Sequence, residues 1–119
     1  MNSKVLLIGG AGYIGTVVTR HLIEKSFDIT CLDNLIYNNS YSLSEFQKNN
    51  KFNFILGDLR NEPLMTKLLS KCDAVIILAG LVGDPITKKY PEISEKINNK
   101  GIKKLINCCK NKKIEKLIF

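Results

Sequence analysis

The chain has 119 residues, 45% of them hydrophobic, and a formal net charge of +7 at pH 7. That is enough for one domain with a real core, but the longest apolar stretch, residues 74–83, is far short of the roughly 20 residues that span a bilayer. Arg20 and Arg60 are the only arginines, and the late lysines alternate with Ile93, Ile97, Ile102 and Leu105 as on a solvated helix face. No aromatic residues interleave with them to stack on bases, so neither nucleic acid nor membrane is an expected partner.

Residues 4–15 read Lys-Val-Leu-Leu-Ile-Gly-Gly-Ala-Gly-Tyr-Ile-Gly. An apolar run from Val5 to Ile8 predicts a strand that breaks into glycines and then into helical spacing at Ile14, Val17, Val18 and Leu22. The first turn of such a helix carries unpaired N–H groups and the positive end of the dipole, which favours an anion. Gly10, Gly12 and Gly15, with Gly9 before them, fit G-x-G-x-x-G in the strand-to-helix setting that the dinucleotide motif requires. The glycines allow the tight turn, the approach of backbone to a pyrophosphate, and helix-on-strand packing. Only backbone amides are needed there, so Tyr13 and Ile14 read as packing residues. The apolar N-terminal run stops at the glycines, which is no signal-peptide pattern, and a cytoplasmic location is expected.

Residues 28–32 predict a second strand that ends in Asp33 and Asn34, about 20 residues beyond the glycines. A carboxylate there can accept from both hydroxyls of an adenosine ribose and would repel a 2′-phosphate. No arginine follows to offer a counter-charge, so the expected cofactor is NAD rather than NADP.

Residues 34–51 form a long connection in which Ser42 and Glu45 have capping-box spacing for a short helix. Residues 52–56 predict a third strand, followed by Gly57-Asp58-Leu59-Arg60. Asn61 is placed to cap a helix near Glu62, with Pro63 tolerated in its first turn and Leu64, Leu68 and Leu69 facing inward. Residues 74–79 predict a fourth strand without polar alternation, covered on both faces. A loop through Gly83-Asp84-Pro85 then leads to a long helix over 91–110, and a fifth strand begins at Glu115. This alternation predicts an α/β fold, a doubly wound Rossmann-type parallel sheet of order 3-2-1-4-5. Its switch point sets the 9–15 loop and Ala79-Gly80-Leu81 on opposite sides of one crevice.

The four cysteines, Cys31, Cys72, Cys108 and Cys109, lack metal-ligand spacing and read as reduced and structural. No metal site is expected. His21, the only histidine, lies at the edge of the first helix's buried face.

With these residues in place, the chain resembles the extended short-chain dehydrogenase/reductase family, in its NAD-dependent sugar-nucleotide epimerase/dehydratase branch, along its whole length. Gly9-Gly10-Ala11-Gly12-Tyr13-Ile14-Gly15 is similar to that family's G-x-x-G-x-x-G signature, and Leu32-Asp33-Asn34-Leu35 to its ribose-binding segment. Gly57-Asp58-Leu59-Arg60 resembles its adenine segment, which implies that Asp58 bonds the adenine amino group and Leu59 packs on the ring. Leu78-Ala79-Gly80 resembles the small-residue stretch under the cofactor, and Asn98 with Gly101 its helix asparagine and glycine. Ile77 stands where the family often has His, and Ile102 where Thr is usual.

The resemblance also implies a Tyr with Lys four residues on, yet none of Tyr13, Tyr37, Tyr41 and Tyr90 has that partner. No catalytic residue is therefore assigned. Residues 1–119 are expected to be the NAD-binding N-terminal part of a nucleotide-sugar epimerase or dehydratase, stopping after strand five and inactive alone. Leu81, Val82 and Asp84 would face the sugar side, and the complete enzyme is expected to be a homodimer. A naturally short NAD-sensing module and a fragment of a related NAD-dependent reductase remain alternatives.

Overall fold

The structure, a computed structural model, describes residues 3–11, 13–34, 40–78, 102–112 and 114–118. Five short strands, β1 (Lys4–Ile8), β2 (Asp28–Asp33), β3 (Phe52–Leu56), β4 (Ala74–Ile77) and β5 (Lys116–Ile118), form one sheet of order β3-β2-β1-β4-β5. All pairings are parallel, with Leu7 opposite Cys31 and Ile76, Cys31 opposite Phe54, and Val75 opposite Leu117. The predicted topology is the observed one.

Both faces of the central strands are covered. Leu6, Leu7, Ile8, Leu32 and Val75 are all but sealed from solvent, and burying each such side chain stabilises the fold by roughly 1.5–3 kcal/mol. On one face, Val5, Leu7 and Ile29 pack against Val18, Leu22 and Ile23 of α1 (Tyr13–Glu24), while Cys31 packs with Leu43 and Phe46 of a 3-10 helix (Ser40–Phe46). On the other face, Leu6, Ile8, Leu32, Val75 and Ile77 meet α2 (Glu62–Leu69) and α3 (Ile102–Asn111). No described helix is long and apolar enough to cross a membrane.

α2 begins as expected: Asn61 is extended at φ −78°, ψ 95°, its side chain accepts from the Leu64 N–H, and proline sits in the first turn. Three expectations need correction. Ser42 does not precede the helix after the second strand but lies inside it, a 3-10 helix over Ser40–Phe46. Its Glu45 instead pairs with Arg20 of α1, at 2.6 Å. In α1, Ile14 and Val17 are 62% and 51% exposed and point outward. The buried residues of α1 are Gly15 and Thr19, and at Gly15 the first turn lies so close to the strand exit that a Cβ would meet the backbone of Gly10. The third correction follows from the same geometry: Tyr13, at 89% exposed, and Ile14 are not packing residues. The long predicted helix lies partly outside the described residues, and its described portion is α3.

Candidate functional site

The crevice is built at the carboxyl ends of β1, β2 and β3. Gly9 leaves β1 with φ 85°, in the left-handed region that favours glycine. Its N–H donates to the Leu32 carbonyl at 2.7 Å, which ties the start of the loop to β2. The next glycines are required by crowding. A Cβ on Gly10 would lie 2.5 Å from the Cys31 sulfur, and one on Gly15 2.5 Å from both Cα and carbonyl oxygen of Gly10. The second contact is with backbone, which has no rotamer to give. The first turn of α1 is thereby held against the strand exit, main chain on main chain.

Asp33 ends β2 beside this loop. Its Oδ2 accepts from the Ala11 N–H at 2.9 Å, across 22 residues of sequence. The carboxylate thus faces the glycine loop. Cys31 sits two residues earlier, fully buried. Burial, followed by the charge of Asp33, pushes its thiol up to about 12, so it stays protonated at neutral pH. All four cysteines are free, as the sequence suggested.

The third segment joins on through the main chain. Gly57 donates its N–H to the Asp33 carbonyl at 3.1 Å, bringing the two acidic segments side by side. Asp58 is part-buried, and Arg60 holds its carboxyl well below the usual carboxylate range through a side-chain hydrogen bond. Leu59 is only 8% exposed and belongs to the core beneath α2 with Met65 and Leu68. Its side chain therefore offers an incoming ring no more than a rim. Leu78 lies across the switch point, half-buried, with its N–H donating to the Ile8 carbonyl at 2.8 Å. Asn34 is exposed beside Asp33.

The fold thus brings Gly9, Gly10, Gly15, Asp33, Asp58 and Leu78 to one end of the sheet. Tyr13 and Ile14 stand at its rim with side chains in solvent. Gly12, Ala79, Gly80, Leu81, Val82, Asp84, Asn98 and Gly101 lie outside the described residues. Arg60 is the residue that sequence reasoning left without a role. Its signal was the Asp-x-Arg spacing, which lets a guanidinium fold back on a carboxylate.

Comparison with known proteins places the chain in a family. The UDP-glucose 4-epimerase of Klebsiella pneumoniae is 32% identical over 122 residues, which cover 98% of this chain and 86% of that protein. The dTDP-glucose 4,6-dehydratase of Salmonella typhimurium is 38% identical over 80 residues, covering 64% of this chain and 22% of that protein. A mutant UDP-glucuronic acid 4-epimerase of Bacillus cereus, solved in complex with NAD and UDP-4-deoxy-4-fluoro-glucuronic acid, superposes with a TM-score of 0.86 at 26% identity. That match covers 96% of this chain and 38% of the other, so the chain spans little more than a third of that enzyme's length. The model of the NAD dependent epimerase/dehydratase family matches residues 5–119. With the model matching nearly the whole chain, the chain belongs to the NAD dependent epimerase/dehydratase family.

Proposed function

We propose that this chain is the NAD-holding part of a nucleotide-sugar epimerase or dehydratase. The observation that carries the reading is the 2.9 Å bond from the Ala11 N–H to Asp33 Oδ2, beside a turn in which neither Gly10 nor Gly15 has room for a Cβ. When bound, NAD supplies reversible hydride transfer at a sugar carbon.

The chain's own residues bind and orient. Gly9, Gly10, Gly12 and Gly15 let the loop amides and the positive end of α1 approach the diphosphate, with Tyr13 and Ile14 contributing main chain. Asp33, with Asn34 beside it, accepts from the adenosine ribose hydroxyls and disfavours a 2′-phosphate. Asp58 accepts from the adenine amino group, and Leu59 supplies an apolar edge next to it. Leu78, Ala79 and Gly80 pass under the cofactor, while Leu81, Val82 and Asp84 face the sugar. The chain holds no Tyr-x-x-x-Lys, so it turns over no nucleotide sugar alone. The complete enzyme is read as a cytoplasmic homodimer.

The test is the ratio of NAD to NADP affinity. Exchanging Asp33 for Ala removes both the ribose acceptor and the charge that repels a 2′-phosphate. Hydrogen bonds to a charged group contribute about 1.5–3 kcal/mol, so the ratio should fall by at least tenfold. Asp33→Asn, which keeps an acceptor for Ala11, should lose the charge discrimination and retain the loop. A ratio that neither substitution moves would overturn the ribose role. Turnover of UDP-glucose or dTDP-glucose by this chain with NAD would overturn its inactivity.

A further inference from the structure

The amino ends of the strands, away from the crevice, carry an opening of their own. Between α2 and the outer strands lies a groove of about 580 Å³, within the roughly 300–1,000 Å³ of small-ligand sites. We propose that this groove binds an amphiphilic anion, a phosphomonoester head on a short apolar body, independently of the dinucleotide crevice.

The strand register builds the groove in rows, because alternate residues of a strand share a face. The first row is apolar: Leu32 pairs with Ile55, and both pack with Ile8 into the core on the α2 side. One step toward the strand starts, half-buried Thr30 pairs with exposed Asn53. The last row is charged. Lys4 stands opposite Asp28, and Lys51 leads into β3 with its carbonyl accepting from the Ile29 N–H at 2.7 Å. α2 repeats the gradient. Leu64 lies at its upper end, where a Cβ on Gly57 would come within 2.7 Å of the leucine Cδ2. Lys67 and Lys71 line the lower end, where the chain returns to the sheet through the Asp73 N–H on the Lys4 carbonyl at 2.8 Å. The groove is thus apolar at one end and basic at the other.

Four lysines line it against one carboxylate, Asp28. Among the described residues the ion pairs are Arg20–Glu45, Arg60–Asp58 and Lys104–Glu62, so none of these four lysines is in one. Lys67, in the last turn of α2, answers the negative end of that helix. Lys4 and Lys51 lie on or beside strands and answer no such field. A phosphomonoester carries a charge of about −1.5 to −2 near neutral pH and three strong acceptor oxygens, so it can take ammonium donors from more than one lysine. The Thr30 hydroxyl and Asn53 amide offer neutral donors at the next level. An apolar body would leave water against Ile55, Leu64 and Leu68. Inorganic phosphate can use only the basic end, and a neutral alcohol only the apolar one.

The experiment is a set of amide NMR titrations of the chain with octyl phosphate below its micelle concentration, inorganic phosphate and 1-octanol. Octyl phosphate should bind at least about tenfold more tightly than either of the others. It should shift the amides of Thr30, Asn53 and residues 67–72, leave those of Gly9, Gly10 and Gly15 unmoved, and withstand saturating NAD. Lys67→Glu with Lys71→Glu should weaken octyl phosphate by at least about tenfold and leave 1-octanol within about twofold. If that double variant fails to fold, Lys4→Gln with Lys51→Gln carries the charge test. Asn53→Phe, which fills the polar row, should weaken octyl phosphate and 1-octanol alike. Shifts confined to the glycine loop and reversed by NAD would place the anion in the crevice and overturn the proposal. Equal affinity for octyl phosphate and inorganic phosphate would reduce the groove to surface lysines. Binding to phosphatidic acid vesicles without any response to monomeric octyl phosphate would mark a flat basic surface, and would overturn it too. Failure to bind NAD would remove the reading of the crevice and leave this site standing.

Discussion

Gly15 tolerates no side chain, because what a Cβ would meet is the backbone of Gly10 at 2.5 Å. A flexible neighbour could swing aside, whereas here the first turn of α1 or the exit of β1 must move. Gly15→Ala should therefore cost about 1–3 kcal/mol as an overpacked site, lowering the thermal midpoint by several degrees. On the proposed binding role of the first-turn amides, it should also abolish measurable NAD binding. A differential scanning measurement with and without NAD checks both halves. An unchanged midpoint would mean that the loop closes less tightly than its contacts imply. The placement of Gly9, Gly10, Gly15 and Asp33 was legible in the sequence, because a strand-to-helix turn and a strand end fix it. The side chains of Tyr13, Ile14 and Leu59 were not. Motif position says which amide matters, and says nothing of which way the attached side chain turns.

α1 shows the same limit for a whole element. Apolar spacing at Ile14, Val17, Val18 and Leu22 defines a stripe, yet the helix is rotated so that Gly15 and Thr19 face the sheet and Val18, Leu22 and Ile23 flank them. Closeness of approach chose that face. At the start of the helix, Gly15 lets the main chain approach that of Gly10, which a larger residue would prevent. The strands were read correctly, since unbroken runs such as 74–77 can only be covered on both faces of a parallel sheet. The arrangement leaves Thr19 fully buried, its hydroxyl with no hydrogen-bond partner among the described residues. Burying an unsatisfied hydroxyl costs about 1–3 kcal/mol. Thr19→Val, which keeps the branched shape and removes the polar atom, should raise stability by roughly 1 kcal/mol. A higher urea midpoint with an unchanged slope would show it. A lower midpoint would mean that the hydroxyl has a partner beyond the described residues.

At the scale of the molecule, the sheet divides its two edges between different characters. β3 closes one edge with Asn53 exposed and Lys51 leading into it. β5 closes the other with all three of its residues exposed, and Leu117 and Ile118 remain 36% and 49% accessible. Its parallel pairing with β4 satisfies one side of the strand, and among the described residues no strand pairs with the outer side, which is flanked by apolar side chains. Such an edge is a template for another strand, and one lysine, Lys116, is a thin guard. This chain studied by itself should therefore self-associate as its concentration rises, through β5 rather than β3. Ile118→Lys sets a charge on that edge without touching the crevice at the strands' far neighbours. It should return the chain to a monomer by sedimentation velocity while leaving NAD affinity within about twofold, since the substituted edge adds no hydrogen bond to the ligand. Association that persists in Ile118→Lys but vanishes when Asn53 is changed to Lys would assign the contact to β3. A chain that stays monomeric at every concentration would show that β5 is guarded well enough by Lys116 alone.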